Sequence, residues 1–558
     1  MLIAFQHTLK QTIADAVARH FFPETPLPDF DLEVPAEKAY GDFSANIALK
    51  SARSLKKPPM RIAEEFCPVI ASAVEASSIA DCLESITPAA PGFINFRLSR
   101  EAVYRILYDV FRRGGQYGSS DFGTGRRVQI EFVSSNPTGP LTIAHARQAV
   151  VGDVLANILN FTGFEAKREY YVNDGGNQVV MLGRSIVFRA KEALGQTVDF
   201  PEDCYQGVYI RDMTKLFLEN RGITEVKALE SLDPRGVQEF GVSYLMDVIR
   251  KELDDFRVHF DIWSYESQIA HPEAIRQVLD ELQQKGLLFE KDGALWFRST
   301  DFGDDKDRVV RKSDGNYTYL TPDIAYHKNK YDRGFDRVYN IWGPDHHGYI
   351  PRIKAAVRAL GHDVDALEVL IVQLATVYRN GQPVSMSTRK GEFVSLREVL
   401  TEVGRDAARF FFLMRGISAH LDFDLDLAKK ETPENPVYYI QYAHARICSI
   451  VEKARAGGMI EKTEGLCLLR EDDEIDLIKK IGEFQEVVEQ CAREMEPFGL
   501  IQYLQELAAC FHRFYDHHRV VDPSALEMSR ERLALIDAAR IVLANGLHLL
   551  GVTTPEKM

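Results

Sequence analysis

Long apolar runs are missing from this 558-residue sequence. No stretch approaches the ~18 consecutive apolar residues that a membrane-spanning helix needs. The N-terminal segment also has no basic leader followed by an apolar stretch and a small-residue cleavage site, so export is not expected. These absences predict a protein of the cytoplasm with no membrane partner.

Closely spaced cysteines are missing as well. There are seven cysteines, an odd number, and the nearest two, Cys67 and Cys82, are 15 residues apart. Such scattered thiols are typical of a reducing compartment, and the Cys-x-x-Cys spacing of a zinc knuckle is absent, so neither disulfides nor zinc are expected. The sequence also shows no internal repeat and no low-complexity tract.

What the sequence does contain is an ordinary globular composition in a long chain. Hydrophobic residues make up 45% and charged residues 27% of it, close to the averages of globular proteins. At ~150 residues per domain, the length predicts three or four domains. The net charge of −15 argues against indiscriminate coating of nucleic acid. A local basic face could still attract a polyanion, because the field depends on where the charges lie.

Three regions differ in their pattern. Residues 1–112 combine helices, a proline-rich connection and short strands, which predicts an N-terminal α+β domain. A Gly/Ser-rich linker follows at 114–125. Residues 113–430 carry the strand and helix alternation of an α/β core, and residues 431–558 are almost wholly helical in period, which predicts a C-terminal helical bundle. The predicted fold class is therefore multidomain.

The middle region opens like a nucleotide-binding βαβ unit. Residues 128–133 alternate and are rich in β-formers, a turn cluster follows at 134–140, and a helix with an apolar face begins near Ala144. Residues 180–290 are mostly helical in pattern. The prediction is a Rossmann-like core with a helical insertion. Further strands of its sheet are predicted at residues 169–172, 338–342 and 370–374.

The turn after the first strand and the helix behind it suit a phosphate. A helix N-terminus at the carboxyl end of a first parallel strand offers free N–H groups and a positive dipole end to a triphosphate. His145, near the start of this helix, would add a charge-assisted donor toward an α-phosphate. Taken alone, one histidine at a helix start is more often an ordinary polar surface group.

A second candidate is the loop after a predicted hairpin. Asn380-Gly381 is a strong two-residue turn signal, and the residues that follow include Arg389 and Lys390. Cations on a mobile glycine-containing loop are what a leaving pyrophosphate requires. Taken alone, arginine and lysine in a loop are usually just solvated.

A third candidate lies at the end of an apolar strand, where open α/β sheets bind their ligands. Gly343 is followed there by Asp345, His346 and His347. An Asp-His-His run could suggest a metal site, but no further ligand cluster accompanies it. Hydrogen bonding to a nucleoside is the favoured interpretation.

A fourth set of residues suits a guanidinium group. Glu131 and Asp323 supply carboxylates, Asn136 a further acceptor, and Tyr319 an aromatic face. A carboxylate can take the guanidinium fork bidentately and a ring can stack on it. The alternative, that these are polar residues at strand ends, stays open at this point.

Taken in this order and spacing, these segments resemble the class I arginyl-tRNA synthetase family. Residues 142–145 stand at the family's HIGH motif and residues 385–389 at its KMSKS motif. Essentially the whole chain is covered by the resemblance. Further similar segments are residues 40–46 and 91–96 in the N-terminal domain, 170–178 and 406–412 in the core, and 435–446 and 549–552 in the bundle.

The resemblance implies a substrate set and a reaction. The arginine carboxylate attacks the α-phosphate of Mg-ATP, giving arginyl-adenylate and pyrophosphate, and the terminal ribose of tRNA(Arg) then displaces AMP. Positioning and electrostatics suffice for this chemistry, with no covalent enzyme intermediate. The family also implies that tRNA is needed for the first step, that the N-terminal domain contacts the tRNA core, that a region before residue 430 contacts its stem, and that the protein is a monomer.

The resemblance further implies roles for individual residues. The arginine-binding positions are Glu131, Asn136, Tyr319 and Asp323. The catalytic positions are Thr142, His145, Arg389 and Lys390. The ATP-binding positions are Thr142, His145, Gly343, Asp345, His346, His347, Met386 and Ser387. The anticodon-binding positions are Tyr438, Tyr442 and Arg446, which lie at helical spacing and without the resemblance would be interpreted as packing residues.

Both signature motifs depart from the family pattern. Thr142 replaces the first histidine of HIGH and Ala144 its glycine, while Ser385 and Thr388 replace the two lysines of KMSKS. These changes motivate an alternative function, a catalytically weak tRNA-binding protein descended from a synthetase, and detectable adenylate formation would discriminate the two. A synthetase for another amino acid is disfavoured, because the two acidic candidates suit a cationic substrate.

Arg389 and Lys390 are our candidates for the missing phosphate charge, because they are adjacent on the same loop. Replacing either with alanine should lower kcat about a hundredfold, the cost of losing one donor to a developing negative charge. Steady-state aminoacylation by each variant measures this. An unchanged kcat in both variants would show that the charge comes from elsewhere.

Overall fold

The computed structural model describes residues 2–35, 37–384 and 394–558. Helices dominate these ranges, and their strands form four separate sheets. Within the described ranges, no helix is both long enough and apolar enough to cross a membrane.

The N-terminal part is an antiparallel sheet backed by helices. Its strands, in sheet order, are β1 (Leu32–Glu33), β2 (Phe43–Ala45), β4 (Phe93–Leu98) and β3 (Leu83–Ala89). Its helices are α1 (Leu2–Phe21), α2 (Ile47–Leu55), α3 (Pro59–Glu75) and α4 (Arg100–Arg113). Helix α3 begins with Pro59, where a missing N–H costs nothing, and Ile62, Phe66 and Ile70 recur every four residues on its buried face. The predicted α+β fold of this part is confirmed.

The central sheet is five-stranded and wholly parallel. In sheet order its strands are β12 (Leu367–Ile371), β11 (Arg337–Trp342), β5 (Arg127–Glu131), β6 (Glu165–Val172) and β7 (Ile262–Tyr265). The chain leaves β5 for β6 on one side and reaches β11 on the other side only much later. Strand order therefore reverses next to β5, and ligands of open α/β sheets bind at the carboxyl edge of such a reversal.

The helices around this sheet include those of the predicted insertion. They are α5 (Ile143–Phe161), α6 (Gly176–Ala193), α7 (Val208–Arg221), α8 (Val226–Glu230), α9 (Pro234–Asp255), α10 (Glu266–Ile269), α11 (Pro272–Gln284), α12 (Leu320–Asp332) and α13 (Ile350–Leu360). A small antiparallel sheet of β8 (Leu288–Lys291), β9 (Ala294–Phe297) and β10 (Arg308–Arg311) precedes α12. Residues 180–290, where the sequence indicates helices, also contain β7 and the start of β8, since a four-residue strand is too short to show a period.

A third unit connects the core to the C-terminal part. It holds the strands β13 (Ala375–Arg379), β14 (Gln382–Pro383) and β15 (Leu421–Asp424), and the helices α14 (Leu396–Val403), α15 (Arg405–Phe412) and α16 (Leu425–Ala428). Strands β13 and β14 form the hairpin predicted from Asn380-Gly381, and both turn residues have the positive φ, 53° and 69°, that a type I′ turn requires.

The C-terminal part is the predicted helical bundle. Its helices are α17 (Pro436–Ala456), α18 (Asp472–Gly482), α19 (Phe484–Glu494), α20 (Phe498–His517) and α21 (Leu526–Leu549). The N-terminal part packs against this bundle through α4, where the Tyr104 hydroxyl donates a 2.7 Å hydrogen bond to the carbonyl of Leu469. Buried apolar residues run continuously from the N-terminal part through the core to the bundle.

Candidate active site

The turn after β5 has an unusual backbone. Val133 and Ser134 both have a positive φ, 66° and 40°, which is unfavourable for a β-branched residue and persists only when neighbouring contacts enforce it. The Ser134 hydroxyl supplies two such contacts: it donates to Oε1 of Glu131 at 2.9 Å and accepts from the Tyr171 N–H at 3.1 Å. The turn thereby holds the Glu131 side chain at the carboxyl edge of the sheet.

Glu131 is buried and already carries a cationic partner. Nζ of Lys330, from α12, donates to its Oε2 at 2.5 Å. Burial alone would raise the pKa of Glu131, but the charge and hydrogen bond of Lys330, with the contribution of Ser134, outweigh it and hold the pKa below its usual range. Glu131 is therefore an anion at neutral pH.

Asp323 lies in the first turn of α12. The alternative interpretation from the sequence, a polar residue at the end of a strand, is therefore wrong for Asp323. The Tyr349 hydroxyl donates to its Oδ2 at 2.5 Å. Burial raises the pKa of Asp323 to about 7, with the charges of Glu131 and Glu266 adding to the rise. Asp323 and Glu131 thus face one acidic region, and a cation arriving there would favour the ionised form of both.

Four further side chains complete this region: the rings of Tyr171, Tyr326 and Tyr349 and the carboxylate of Glu266. Sequence reasoning assigned a role to none of them. The rings of Tyr171 and Tyr326 lie 4.4 Å apart, and the Tyr171 hydroxyl donates to Oε2 of Glu266 at 2.8 Å. Tyr171 belongs to residues 170–178, one of the segments that resemble the family. The resemblance singles out this segment but gives Tyr171 no role.

The other two predicted arginine-binding residues are more open. Asn136, in the turn after β5, donates through Nδ2 to Oε1 of Gln178 at 2.8 Å, which links this turn to α6. Tyr319 stands at the N-cap of α12 and is 82% exposed. The structure thus brings Glu131 and Asp323 together, while the Tyr319 ring, four residues before Asp323, stands in solvent.

His145 lies in the first turn of α5, as the phosphate-binding prediction requires. Its Nδ1 accepts a 3.2 Å hydrogen bond from the Thr142 N–H, so in the neutral ring the proton sits on Nε2. Burial lowers the pKa of His145 to about 4. His145 is therefore a neutral Nε2–H donor, and the charge in a bond to phosphate would come from the phosphate.

The segment after β11 lies at the same carboxyl edge of the sheet, on the side of β5 opposite β6. Gly343 is buried, and a Cβ there would come within 2.8 Å of Oδ1 of Asp345, an exposed side chain that could move aside. Asp345, His346 and His347 lie exposed on the turn that follows. Their side chains are available to a ligand at the carboxyl end of β11.

The predicted phosphate loop falls outside the described residues. Its members there are Ser385, Met386, Ser387, Thr388, Arg389 and Lys390. The residues directly after it pair with the HIGH position: the Ile143 N–H donates to Val394 at 3.3 Å, and the Leu396 N–H donates to Leu141 at 2.8 Å. Residues 394–396 therefore lie beside residues 141–143, at the start of α5.

The predicted anticodon residues share one face of α17. The rings of Tyr438 and Tyr442 are stacked at 6.1 Å and 9°, and Nη1 of Arg446 donates to the Tyr442 hydroxyl at 3.3 Å. The Arg446 guanidinium also lies 4.2 Å from the centre of the Tyr515 ring. All three side chains are partly exposed, so this face offers stacking surfaces and a cation at the surface of the bundle.

Comparisons with known families cover nearly the whole chain. Residues 7–98 match the "Arginyl tRNA synthetase N terminal domain", residues 107–412 match "tRNA synthetases class I (R), catalytic domain", and residues 440–558 match the "DALR anticodon binding domain".

Individual relatives match this chain over nearly their full length. The chain is 47% identical to the arginine–tRNA ligase of Syntrophotalea carbinolica, over 99% of this chain and 99% of that protein. It is 46% identical to the arginine–tRNA ligase of Bacillus subtilis, over 99% and 98%. The solved arginyl-tRNA synthetase of Thermus thermophilus has the same fold, with a TM-score of 0.73 over 99% of this chain and 100% of that one at 23% identity. The chain therefore belongs to the arginyl-tRNA synthetase family of class I aminoacyl-tRNA synthetases.

Proposed function

We propose that this protein activates L-arginine with ATP and transfers the arginyl group to the 3′-terminal adenosine of tRNA(Arg), releasing pyrophosphate and AMP. The observation that carries the proposal is the placement of two carboxylates, Glu131 and Asp323, at the carboxyl edge of a parallel sheet, beside the N-terminus of α5. The carboxylates suit the guanidinium of arginine, and the helix N-terminus suits the phosphates of ATP.

Each group of residues then has a task in the first step. Glu131 and Asp323 hold the guanidinium, with Asn136 and Tyr319 at the mouth of the site. This directs the substrate carboxylate toward the α-phosphate. His145 offers its Nε2–H to that phosphate, and the α5 N-terminus stabilises the charge that develops there. Gly343 lets the nucleoside approach β11 closely, where Asp345, His346 and His347 offer hydrogen bonds.

The remaining roles are proposed on the same family grounds. Thr142 joins His145 on the ATP side, and Met386, Ser387, Arg389 and Lys390 act on the phosphates. Magnesium enters as Mg-ATP, because Mg²⁺ prefers phosphate and water oxygens. Tyr438, Tyr442 and Arg446 take the anticodon bases by stacking and charge. The protein acts as a monomer in the cytoplasm, where tRNA is charged for translation.

The decisive experiment is aminoacylation of total tRNA with each of the twenty amino acids, with pyrophosphate exchange run in parallel with and without tRNA. Charging with arginine alone, and exchange that depends on tRNA, is the expected result. It would show that the departures at Thr142, Ala144, Ser385 and Thr388 are tolerated. Tight tRNA binding without charging or exchange would instead make the protein a tRNA-binding relative of the synthetases.

Asp323 should make arginine use depend on pH. Because burial raises the pKa of this carboxyl to about 7, raising the pH from 6 to 8 converts it from mostly protonated to mostly ionised. The arginine guanidinium stays charged throughout, so kcat/KM for arginine should rise by roughly tenfold over this window. Steady-state rates at saturating ATP and tRNA test this. A flat profile would mean that Asp323 does not meet the guanidinium as an anion.

A further inference from the structure

Lys330 is a buried cation to which neither the reaction nor the sequence assigns a task. It lies near the end of α12, and its side chain is 0% exposed. Its ammonium donates to Oε2 of Glu131 at 2.5 Å and to Oδ1 of Asn340, on β11, at 2.9 Å. It also lies 4.3 Å from the centre of the Tyr326 ring. A lysine with no access to water is rare unless it is paired, so these contacts define its role.

The Lys330 contacts belong to a chain of hydrogen bonds whose directions are fixed. The backbone carbonyl of Asp323 can only accept, so Nδ1 of His327, 2.8 Å away, must carry the proton. Nε2 of His327 therefore accepts, and Nδ2 of Asn340 donates to it at 2.9 Å. This orients the Asn340 amide with its oxygen toward Lys330.

The two ends of this chain are the two predicted guanidinium partners. One end is the Glu131 carboxylate, and the other is the backbone of Asp323. On the far side of Glu131, the Ser134 hydroxyl holds Oε1 at 2.9 Å. Both oxygens of Glu131 are thus fixed by protein donors, and the same network links Glu131 to the helix turn that carries Asp323. A bidentate fork tolerates little error in carboxylate position, so such support matters for recognition.

We propose that Lys330 is a positioning and specificity residue for the amino-acid substrate: it holds Glu131 ionised and in one orientation, so that the site selects a guanidinium. This inference rests on the proposed arginine-charging function. Lys330 and the substrate cation would repel each other across Glu131. Without Lys330, however, the buried carboxyl would tend to take up a proton, and the site would then offer no anion on that side.

Other titratable groups also surround Glu131 and remain in place when Lys330 is replaced. They are Asp323, Tyr326 and His327 of α12, Glu169 and Tyr171 of β6, and Glu266 of α10. His327 is neutral, because burial and the charge of Lys330 lower its pKa to about 3. Lys330 is therefore the one permanent cation bonded to Glu131 among the described residues.

Lys330→Met keeps the apolar stem and removes the charge. We expect KM for arginine to rise at least tenfold at pH 7.5, with KM for ATP and for tRNA unchanged. The rise should be larger at pH 6.5, because the pKa of Glu131 is no longer held down. Selectivity for arginine over citrulline, its neutral isostere, should fall in adenylate formation. A purely structural role would not change this selectivity or separate the three KM values.

Lys328→Met is the matched control. Lys328 lies on the same helix, is partly exposed, and pairs with Asp332 and Glu281 instead. It should behave like the wild type. If Lys330→Met does not fold by circular dichroism, Lys330→Gln decides, because it removes the charge beside Glu131 while its amide can still donate a hydrogen bond in the buried site. A KM rise confined to arginine supports the proposal in either variant.

The outcomes separate this inference from the proposed function. Wild-type protein that fails to charge tRNA with arginine overturns the function. Wild-type protein that charges normally, with KM for arginine and citrulline selectivity unchanged in the decisive variant, overturns the role of Lys330 alone. A KM for arginine that falls in Lys330→Met would also overturn it, since repulsion between the two cations would then outweigh positioning.

Discussion

Asparagine in place of Asp323 should lower kcat/KM for arginine about a thousandfold. The asparagine side chain has the same size and its amide oxygen could still accept from Tyr349, but it carries no charge for the guanidinium. Removing one partner of a buried charge pair costs about 2–5 kcal/mol, and ~4 kcal/mol corresponds to a thousandfold. The measurement is steady-state aminoacylation with arginine varied at saturating ATP and tRNA, and KM for ATP should stay close to that of the wild type.

Asp332→Asn is the control for this substitution. Asp332 ends the same helix, α12, and its carboxylate is exposed and pairs with Lys328. It should leave kcat/KM for arginine unchanged. The rise of activity between pH 6 and 8 should also disappear in Asp323→Asn, since the titrating group is gone. A loss smaller than fivefold in Asp323→Asn would mean that the guanidinium binds elsewhere.

The first strand, its turn and the following helix could be predicted because their signals are local. Val128 and Ile130 alternate with polar residues, a cluster of turn residues follows, and Gly163 marks the end of the helix. These signals lie within about forty residues of one another and need no knowledge of distant contacts. Glu131 could therefore be placed at a strand end next to a helix N-terminus.

The support around Glu131 could not be predicted in this way. Lys328 and Lys330 are two residues apart on one helix and look alike in the sequence. One is partly exposed, while the other is buried and pairs with Glu131, 199 residues away in sequence. Only the pairing of β5 with β11 and the packing of α12 against them distinguish the two lysines. The protonation state of His145 escaped prediction for the same reason, since it depends on burial and on the Thr142 N–H.

A second buried cation, Arg409, ties three parts of the chain together. It lies on α15 with its side chain 0% exposed, and Nη2 donates at 2.5 Å to Asp153, on the same helix as His145. Its other donors reach the carbonyls of Leu550, Phe256 and Arg257 at 2.8–3.0 Å. These carbonyls belong to the end of the C-terminal bundle and to the segment leading into β7. Arg409 thus links the end of the bundle to α5, beside Asn157 of α5, whose Nδ2 donates to the Leu549 carbonyl at 2.9 Å.

Replacing Arg409 with methionine should lower the free energy of unfolding by about 3–5 kcal/mol, the cost of removing one partner from a buried ion pair. Three carbonyls would lose a donor, and Asp153 would keep only Arg168, whose Nε donates to it at 3.0 Å. Urea unfolding followed by tryptophan fluorescence measures this change, because all three tryptophans lie between residues 263 and 342, in the core.

Arg235→Met makes the same chemical change at the surface and provides the comparison. Arg235 is 82% exposed in its side chain and pairs only with the exposed Glu239, so its loss should change the free energy of unfolding by no more than about 0.5 kcal/mol. Similar unfolding midpoints for the two variants would show that the core holds without the Arg409 contacts. A large loss in Arg409→Met alone would mean that the buried contacts of this one guanidinium stabilise the core.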